Sequence, residues 1–429
     1  MDITVLQFVS ACAILLTVPG NGLSFVMRVT DDMDQKFFAE QAANKRDLQI
    51  WRSESRRLVV TSDNPLQSLT FMEAPNLEEL ELFPNSHLQL LILRYCPLDG
   101  LVRSLSNLHA LSLLKVENCR MNGTLNLVEL LPLKNLTSLS FESNRLTEVI
   151  FQPVAAANET ELLSPLEVLN LCSNAIEFFS LDVLRTFPNL KDLLLQRNRI
   201  ARIIGSASLP ALGTLHAKQN HLTELNLAGC NCSALMFVYA SQNMLSNFPQ
   251  LGDSLTDLEV LDLNGNQLTT FNATELRKQP NLKTLLMSKN ALKSFNVEDD
   301  AEPTLELPLL RVLELHHNQI EVLDLRGWQL PALQTLLVSV NPLVALPDDL
   351  LERFPKLHKF SCFCADIDCE WIQRHVQHVR SGRFELSVAW QGPKELSEGY
   401  RCVTVPYVGC VRCPFKRKLS TTTERLVDG

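Results

Sequence analysis

The chain has no excess of positive charge. Its 39 Lys and Arg residues stand against 48 Asp and Glu, a net charge of -9. Phosphate backbones are held by clustered cations that release counterions, so nucleic acid is not an expected partner. Glycine is scarce, 15 residues in 429, and has no triplet period, which excludes a collagen-like chain. There is no Gly-x-Ser-x-Gly elbow, no His-Glu-x-x-His pair, no phosphate-binding glycine loop and no dinucleotide fingerprint. The expectation is therefore a protein without catalytic residues, cofactor or resident metal. Disorder is also excluded, because 46% of residues are hydrophobic and only 20% are charged.

Long apolar runs are few. Residues 5–18 form one, followed by Gly20, Gly22 and Ser24, which reads as a secretory signal peptide over residues 1–22. Asp2 replaces the usual positive n-region. Residues 327–347 carry no charge, but Pro331, Gln334, Thr335, Asn341 and Pro342 interrupt the run and mark it as soluble core. The tail, residues 414–429, is polar and reads as disordered. Secretion into extracellular fluid without a membrane anchor follows. Five Asn-x-Ser/Thr triplets, at Asn122, Asn135, Asn158, Asn231 and Asn272, are expected glycosylation sites in that compartment.

What organises the chain is a repeat. Leu258-Glu259-Val260-Leu261-Asp262-Leu263-Asn264-Gly265-Asn266 fits L-x-x-L-x-L-x-x-N, and matching segments start at Leu88, Leu111, Leu136, Leu166, Leu190, Leu212, Leu235, Leu282, Leu310 and Leu333. Most steps are 22 to 25 residues; two longer ones, 30 and 28, place insertions near residues 154–163 and 297–306. This is the leucine-rich repeat signature. Leucines at positions 1, 4 and 6 face inward while positions 3, 5 and 7 face outward. A single repeat cannot bury its apolar edge, so stacking supplies the core. The expected fold is an α/β solenoid, a leucine-rich repeat horseshoe whose concave side is a parallel sheet. At about 4.8 Å per strand, its repeats span on the order of 50 Å. The ninth-position asparagines, from Asn144 to Asn341, are expected to be buried and structural, with Cys96 and Cys119 in their place in two repeats. Repeats are assigned to residues 77–356, with a cap and degenerate first repeat over 23–76. Leu77 and Leu88 start competing registers only 11 residues apart.

A solenoid needs covered ends. Residues 25–60 contain no cysteine, so Phe37, Phe38, Leu48, Ile50 and Trp51 are expected to cover the first repeat by packing alone. Residues 357–413 hold Cys362, Cys364, Cys369, Cys402, Cys410 and Cys413. Three disulfides joining the early to the late cysteines are expected, in a disulfide-bonded C-terminal cap. A zinc site using His375 and His378 is the weaker reading, and both histidines are expected on a solvated helix face. Loss of Cys12 with the signal peptide leaves an odd number of the 12 cysteines. Cys172, at outward position 7, is the candidate for an interchain bond in a homo- or heterodimer. Whether Cys96 and Cys119 pair or are two thiols is open, as is the state of Cys230 and Cys232.

The outward strand positions carry no single-sign stripe. Asn170, Leu194, His216, Phe237, Tyr239, Asp262, Leu286, Glu314 and His316 mix polar, aromatic and apolar groups, as protein interfaces do. They are the expected partner-binding residues, with Leu194, Leu286 and Leu337 facing solvent and His316 and His317 exposed. None of the five glycosylation triplets places its Asn on a strand face.

Signal-like start, bare repeats and a Cys362-Phe363-Cys364 pair before Trp371 resemble extracellular leucine-rich repeat proteins over residues 77–413. The combination is most like the insect leucine-rich-repeat immune proteins that lack a coiled-coil tail. That resemblance implies innate immune recognition of a complement-like protein or a pathogen surface. A soluble Toll-receptor-like ectodomain, a matrix adhesion protein and a secreted enzyme inhibitor are the alternatives.

Overall fold

Alternation along each leucine segment dictates a strand with one apolar edge, and the computed structural model contains such strands. It describes residues 26–29, 46–53, 56–60, 65–98, 105–152, 163–297, 304–362, 369–386, 400–405 and 409–414. The chain divides into two compact units, Met1–Tyr239 with Gln250–Leu255, and Ala240–Pro249 with Thr256–Gly429.

In the first unit, parallel strands follow one another in chain order: Val26–Val29, Asp47–Ser53, Ser68–Phe71, Leu90–Arg94, Leu113–Glu117, Ser138–Ser140, Val168–Asn170, Asp192–Leu194, Thr214–His216 and Phe237–Tyr239. The register keeps equivalent repeat positions side by side. Leu139, Leu169, Leu193, Leu215 and Val238 form one column and are all 0% exposed. In the second unit the strands are Val260–Asp262, Thr284–Leu286, Val312–Glu314, Thr335–Leu337, Lys359–Cys362 and Phe384–Leu386. Leu261, Leu285, Leu313, Leu336 and Phe360 continue the same pattern there, also at 0%. Each unit is thus a parallel-strand solenoid of leucine-rich repeats.

The asparagine row closes each turn. Asn198 donates its amide to Leu195 O in its own turn at 2.9 Å and to Leu171 O one turn back at 2.9 Å. Its Oδ1 accepts the Ile176 N–H at 3.1 Å. Three backbone groups that leave the ladder are satisfied by one side chain, 6% exposed. The residue just before it turns the chain through left-handed backbone, as at Arg197, φ 58°.

Connections are short. They hold 3-10 turns such as Leu127–Leu130, the helix Ala273–Arg277 capped by Asn272, and small parallel sheets such as Phe179–Ser180, Arg202–Ile204 and Glu224–Leu225. In the second unit a column of rings fills the space behind the sheet. Phe271 lies 4.8 Å from Phe295, which stacks on Trp328 at 4.5 Å.

Two sequence expectations need correction. Leu77 does not open a repeat of the main sheet: its strand, Glu79–Leu82, pairs with Arg57–Val60 in a separate two-stranded sheet. The degenerate first repeat, which starts at Leu66, is the one that supplies a main-sheet strand, Ser68–Phe71, between Asp47–Ser53 and Leu90–Arg94. Leu48 and Ile50, assigned to a cap, sit at 0% exposure in one of these parallel strands. Phe37, Phe38, residues 1–22, the tail beyond 414 and most of both insertions lie outside the described residues.

At the C-terminal end, Trp371 is 2% exposed on the helix Cys369–Arg374 and donates its indole N–H to Pro347 O at 3.2 Å. His375 is not solvated as expected. It is 9% exposed, its ring stacks on Trp371 at 4.0 Å, and Nδ1 lies 2.9 Å from Trp371 O. His378 is half-buried, 5.3 Å from the Phe384 ring. Both rings cover the end of the apolar column, which explains their removal from solvent.

Candidate protein-binding surface

Parallel, in-register pairing converts each outward repeat position into a row across strands. In the first unit, position 5 reads Ser140, Asn170, Leu194, His216 and Tyr239 across five neighbouring strands. Phe237 stands beside Thr214 in the position 3 row.

The early part of this face is polar and internally paired. Arg94 Nε meets Glu117 Oε2 at 2.8 Å, and Ser140 Oγ donates to Glu117 Oε1 at 3.1 Å. Asn170 donates Nδ2–H to Glu142 Oε2 at 3.0 Å and accepts the Cys172 N–H at 3.0 Å. A side chain held in this way contributes shape more than free charge.

The later part is aromatic. His216 and Tyr239 have ring centroids 5.1 Å apart, and the Phe237 and Tyr239 rings are parallel at 6.4 Å. All three are half-buried. Burial, with a smaller contribution from Lys218, pulls His216 down to about 4, so the ring is neutral at physiological pH. Among the described residues its buried Nδ1 has no hydrogen-bond partner. Such rings combine large contact area with few rotatable bonds, which suits an anchor for another protein.

Leu194 does not face solvent as expected. It is 5% exposed, flanked in register by Asn170 and His216. Small spacing between parallel strands lets larger neighbours close over an aliphatic side chain. Leu194 is therefore buried in the row beside His216 and offers little surface of its own.

The second unit carries its own row: Asp262, Leu286, Glu314 and Leu337. All four are half-buried, so neither leucine is fully solvated. Burial, followed by the Asp262 charge, raises the Glu314 carboxyl above its ordinary range, while Lys359 opposes that shift. His316 is half-buried too. Its Nδ1 lies 2.8 Å from Ser288 Oγ, and burial lowers its pKa, with His317 and Lys289 adding to the effect. His317 is exposed, as expected.

The cysteines divide. Cys172 is not open to solvent at its outward position; it is 0% exposed, so within this chain its sulfur is out of a partner's reach. Position 7 is closed to solvent in other repeats of this unit too, with Glu117 and Gln196 only 8% and 5% exposed. Cys230 and Cys232 form a disulfide. The sequence held only the proximity of these two residues as a signal. Cys96 and Cys119 are buried free thiols. Cys362 is buried and disulfide-bonded. Cys364 lies outside the described residues, as do the side chains of Cys369, Cys402, Cys410 and Cys413. On the backbone, Cys402, Cys410 and Cys413 share the antiparallel pair Tyr400–Val405 and Gly409–Pro414.

Asn122, Asn135, Asn231 and Asn272 are exposed and lie off the main-sheet strands. Asn158 lies outside the described residues. Among the described residues, no three His, Cys, Asp or Glu side chains group to hold a metal ion, and no helix is long and apolar enough to cross a membrane.

Comparison with known proteins agrees with this architecture. The Leucine Rich Repeat family profile matches residues 257–278. Chicken Toll-like receptor 2 type-1 is 24% identical over 266 residues, 61% of this chain and 32% of the receptor. Mouse Toll-like receptor 7 is 31% identical over 201 residues, 44% of this chain and 17% of the receptor. The chain therefore spans about a third or less of these relatives. Among solved structures, the APL1 leucine-rich repeat domain superposes with a TM-score of 0.61 at 18% identity, covering 89% of this chain and 96% of that domain. The Drosophila Toll–Spatzle complex gives a TM-score of 0.55 at 15% identity, covering 80% of this chain and 55% of that one. At these identities the structural likeness concerns the fold.

Proposed function

We propose that this leucine-rich repeat protein is an extracellular, non-catalytic scaffold that binds a protein ligand through its strand face, in innate immune recognition. One observation carries the reading: the half-buried cluster of His216, Phe237 and Tyr239 on the face of the first unit. A neutral histidine and two rings on a rigid sheet offer an anchor of low ordering cost. Asp262, Leu286, Glu314 and His316 are the corresponding contacts on the second unit. The immune assignment draws support from likeness of fold to the APL1 domain and to the Toll–Spatzle complex. A repeat fold alone hosts many functions, so the ligand has to be found by its dependence on these residues.

The test compares immobilised wild type with two triple variants, His216→Ala/Phe237→Ala/Tyr239→Ala and Asp262→Ala/Leu286→Ala/Glu314→Ala. Proteins retained from body fluid by the wild type and lost by a variant are identified by mass spectrometry, purified and titrated. The reading expects at least one ligand whose affinity falls about a hundredfold, the loss of roughly two anchor contacts. Equal retention by all three proteins, each folded by circular dichroism, would remove the strand face as the binding site. A ligand found equally in naive and infected fluid, and acting as a protease, would replace immunity with inhibition.

A further inference from the structure

One glycosylation triplet differs from the others in what surrounds it. Asn231 is the single residue between Cys230 and Cys232, which are joined by a disulfide with a sequence separation of 2 and Cα atoms 5.4 Å apart. Cys232 is also the middle residue of the triplet Asn231-Cys232-Ser233. The acceptor residue and its neighbour thus belong to the smallest part of a covalent ring.

The ring is wedged between neighbouring turns. Asn231 donates its backbone N–H to Ala207 O at 3.2 Å and accepts the Leu209 N–H at 2.9 Å, forming a parallel bridge with Ser208. Its side-chain Nδ2, the atom that would carry the glycan, donates to Ser208 Oγ at 3.0 Å. On the other side Ser254 Oγ donates to Cys230 O at 2.5 Å. Gly229 precedes the ring so closely against the preceding turn that an added Cβ would lie 3.0 Å from Gly205 O. The sulfurs are shielded, with Cys230 2% and Cys232 0% exposed. Asn272 contrasts with this. It is exposed at the start of a short helix and uses Oδ1, not Nδ2, to cap the Thr274 N–H.

N-glycosylation needs a chain segment free to fold around the transferase. In that step the sugar's anomeric carbon forms a bond to Nδ2, its diphosphate carrier leaves, and Nδ2 releases a proton. Ring closure removes two protons and two electrons from Cys230 and Cys232, which a protein disulfide of the secretory compartment accepts by exchange. We propose that these two modifications compete at this loop, and that closure of the Cys230–Cys232 ring leaves Asn231 unglycosylated while Asn122 and Asn272 are modified. The side of the first unit formed by Ser208, Asn231 and Ser254 is then bare protein. This holds whatever ligand the strand face takes.

The test expresses the full chain behind a host signal peptide through the secretory pathway of cultured insect cells. Wild type, Cys230→Ser and Cys232→Ser are compared; both variants keep a glycosylation triplet at Asn231. Enzymatic deglycosylation in heavy-oxygen water marks each formerly glycosylated Asn, and peptide mass spectrometry reads occupancy at Asn122, Asn231 and Asn272. The wild type should show the linked Cys230–Cys232 peptide with Asn231 largely unmodified beside well-occupied Asn272. Either serine variant should raise Asn231 occupancy severalfold without changing Asn272. Mild reductant during wild-type expression should do the same, so the result does not depend on the variants folding. Asn231 occupied as fully as Asn272 in the linked wild type would overturn the proposal. So would free thiols at 230 and 232, or unchanged occupancy when the ring cannot close.

Discussion

Cys119, like Cys96, stands in a row filled elsewhere by asparagine, and it still closes the turn toward Cys96. Its Sγ accepts the Cys96 N–H at 3.4 Å and is placed to donate to Leu93 O at 3.3 Å. A thiol has one proton and bonds weakly, whereas an amide has two donors and a stronger acceptor. Asn144, one turn on, shows the full pattern, donating to Val116 O and Phe141 O and accepting from Met121 N–H. Cys119→Asn should therefore stabilise the first unit by roughly 1 kcal/mol, one net hydrogen bond, and Cys119→Ala should destabilise it. Thermal melts of the three proteins decide the matter; an asparagine variant that melts below the wild type would contradict it.

The same pair predicts reactivity. The Cys119 neighbour, and then burial, push the Cys96 thiol up, and both sulfurs are 0% exposed. The thiolate is the species that alkylates. The hydrogen bond with Cys96 lowers the Cys119 thiol instead, so for that residue burial alone keeps reagent away, and neither should alkylate in the native protein at mildly alkaline pH. Iodoacetamide followed by peptide mapping should label both only after unfolding. Native labelling of either would place its sulfur nearer to solvent.

Left-handed backbone at the end of each strand gives a third expectation. Val340 has φ 59° and is 46% exposed, while the equivalent residue in an earlier turn of the same unit is Gly265, φ 66°. A β-branched side chain in this region is disfavoured, and little packing is at stake on an exposed one. Val340→Gly should raise stability by about 1 kcal/mol, and Gly265→Val should lower it by at least as much. Denaturant midpoints with unchanged slopes would measure both.

The solenoid was legible because its signal repeats. Leu139, Leu193 and Leu285 hold the same place in their segments, and each lies in a buried column. Where only one copy of a signal existed, the sequence misled. Leu77 fits the repeat pattern, yet its strand joins a small second sheet, because apolar alternation fits either side of a turn. Outward position was read too literally as well. Leu194 and Cys172 alternate outward on their strands, but their exposure depends on the size of neighbours across the sheet. That information lies about 20 residues away in each direction, not in the local pattern. The Cys230–Cys232 bond and the ring stack from Phe271 to Trp328 are likewise contacts that no local period announces.

Proton linkage separates the two faces. His216 is held below its ordinary value, at about 4, so the unfolded chain binds its proton more readily. The stability it confers is present above pH 6.5 and is lost as pH falls through about 4. Glu314 is shifted the other way, with its carboxyl raised chiefly by burial. Its contribution is complete below the ordinary carboxylate range and is lost as pH rises through the raised value. Replacing His216 with Gln should therefore flatten the acid side of the stability curve. Replacing Glu314 with Gln should make the protein more stable than wild type near pH 7, with the difference vanishing near about pH 4. Melting temperatures of both variants across this range, each subtracted from wild type, give curves of opposite slope. Parallel curves would mean that the two side chains do not sense the burial described for them.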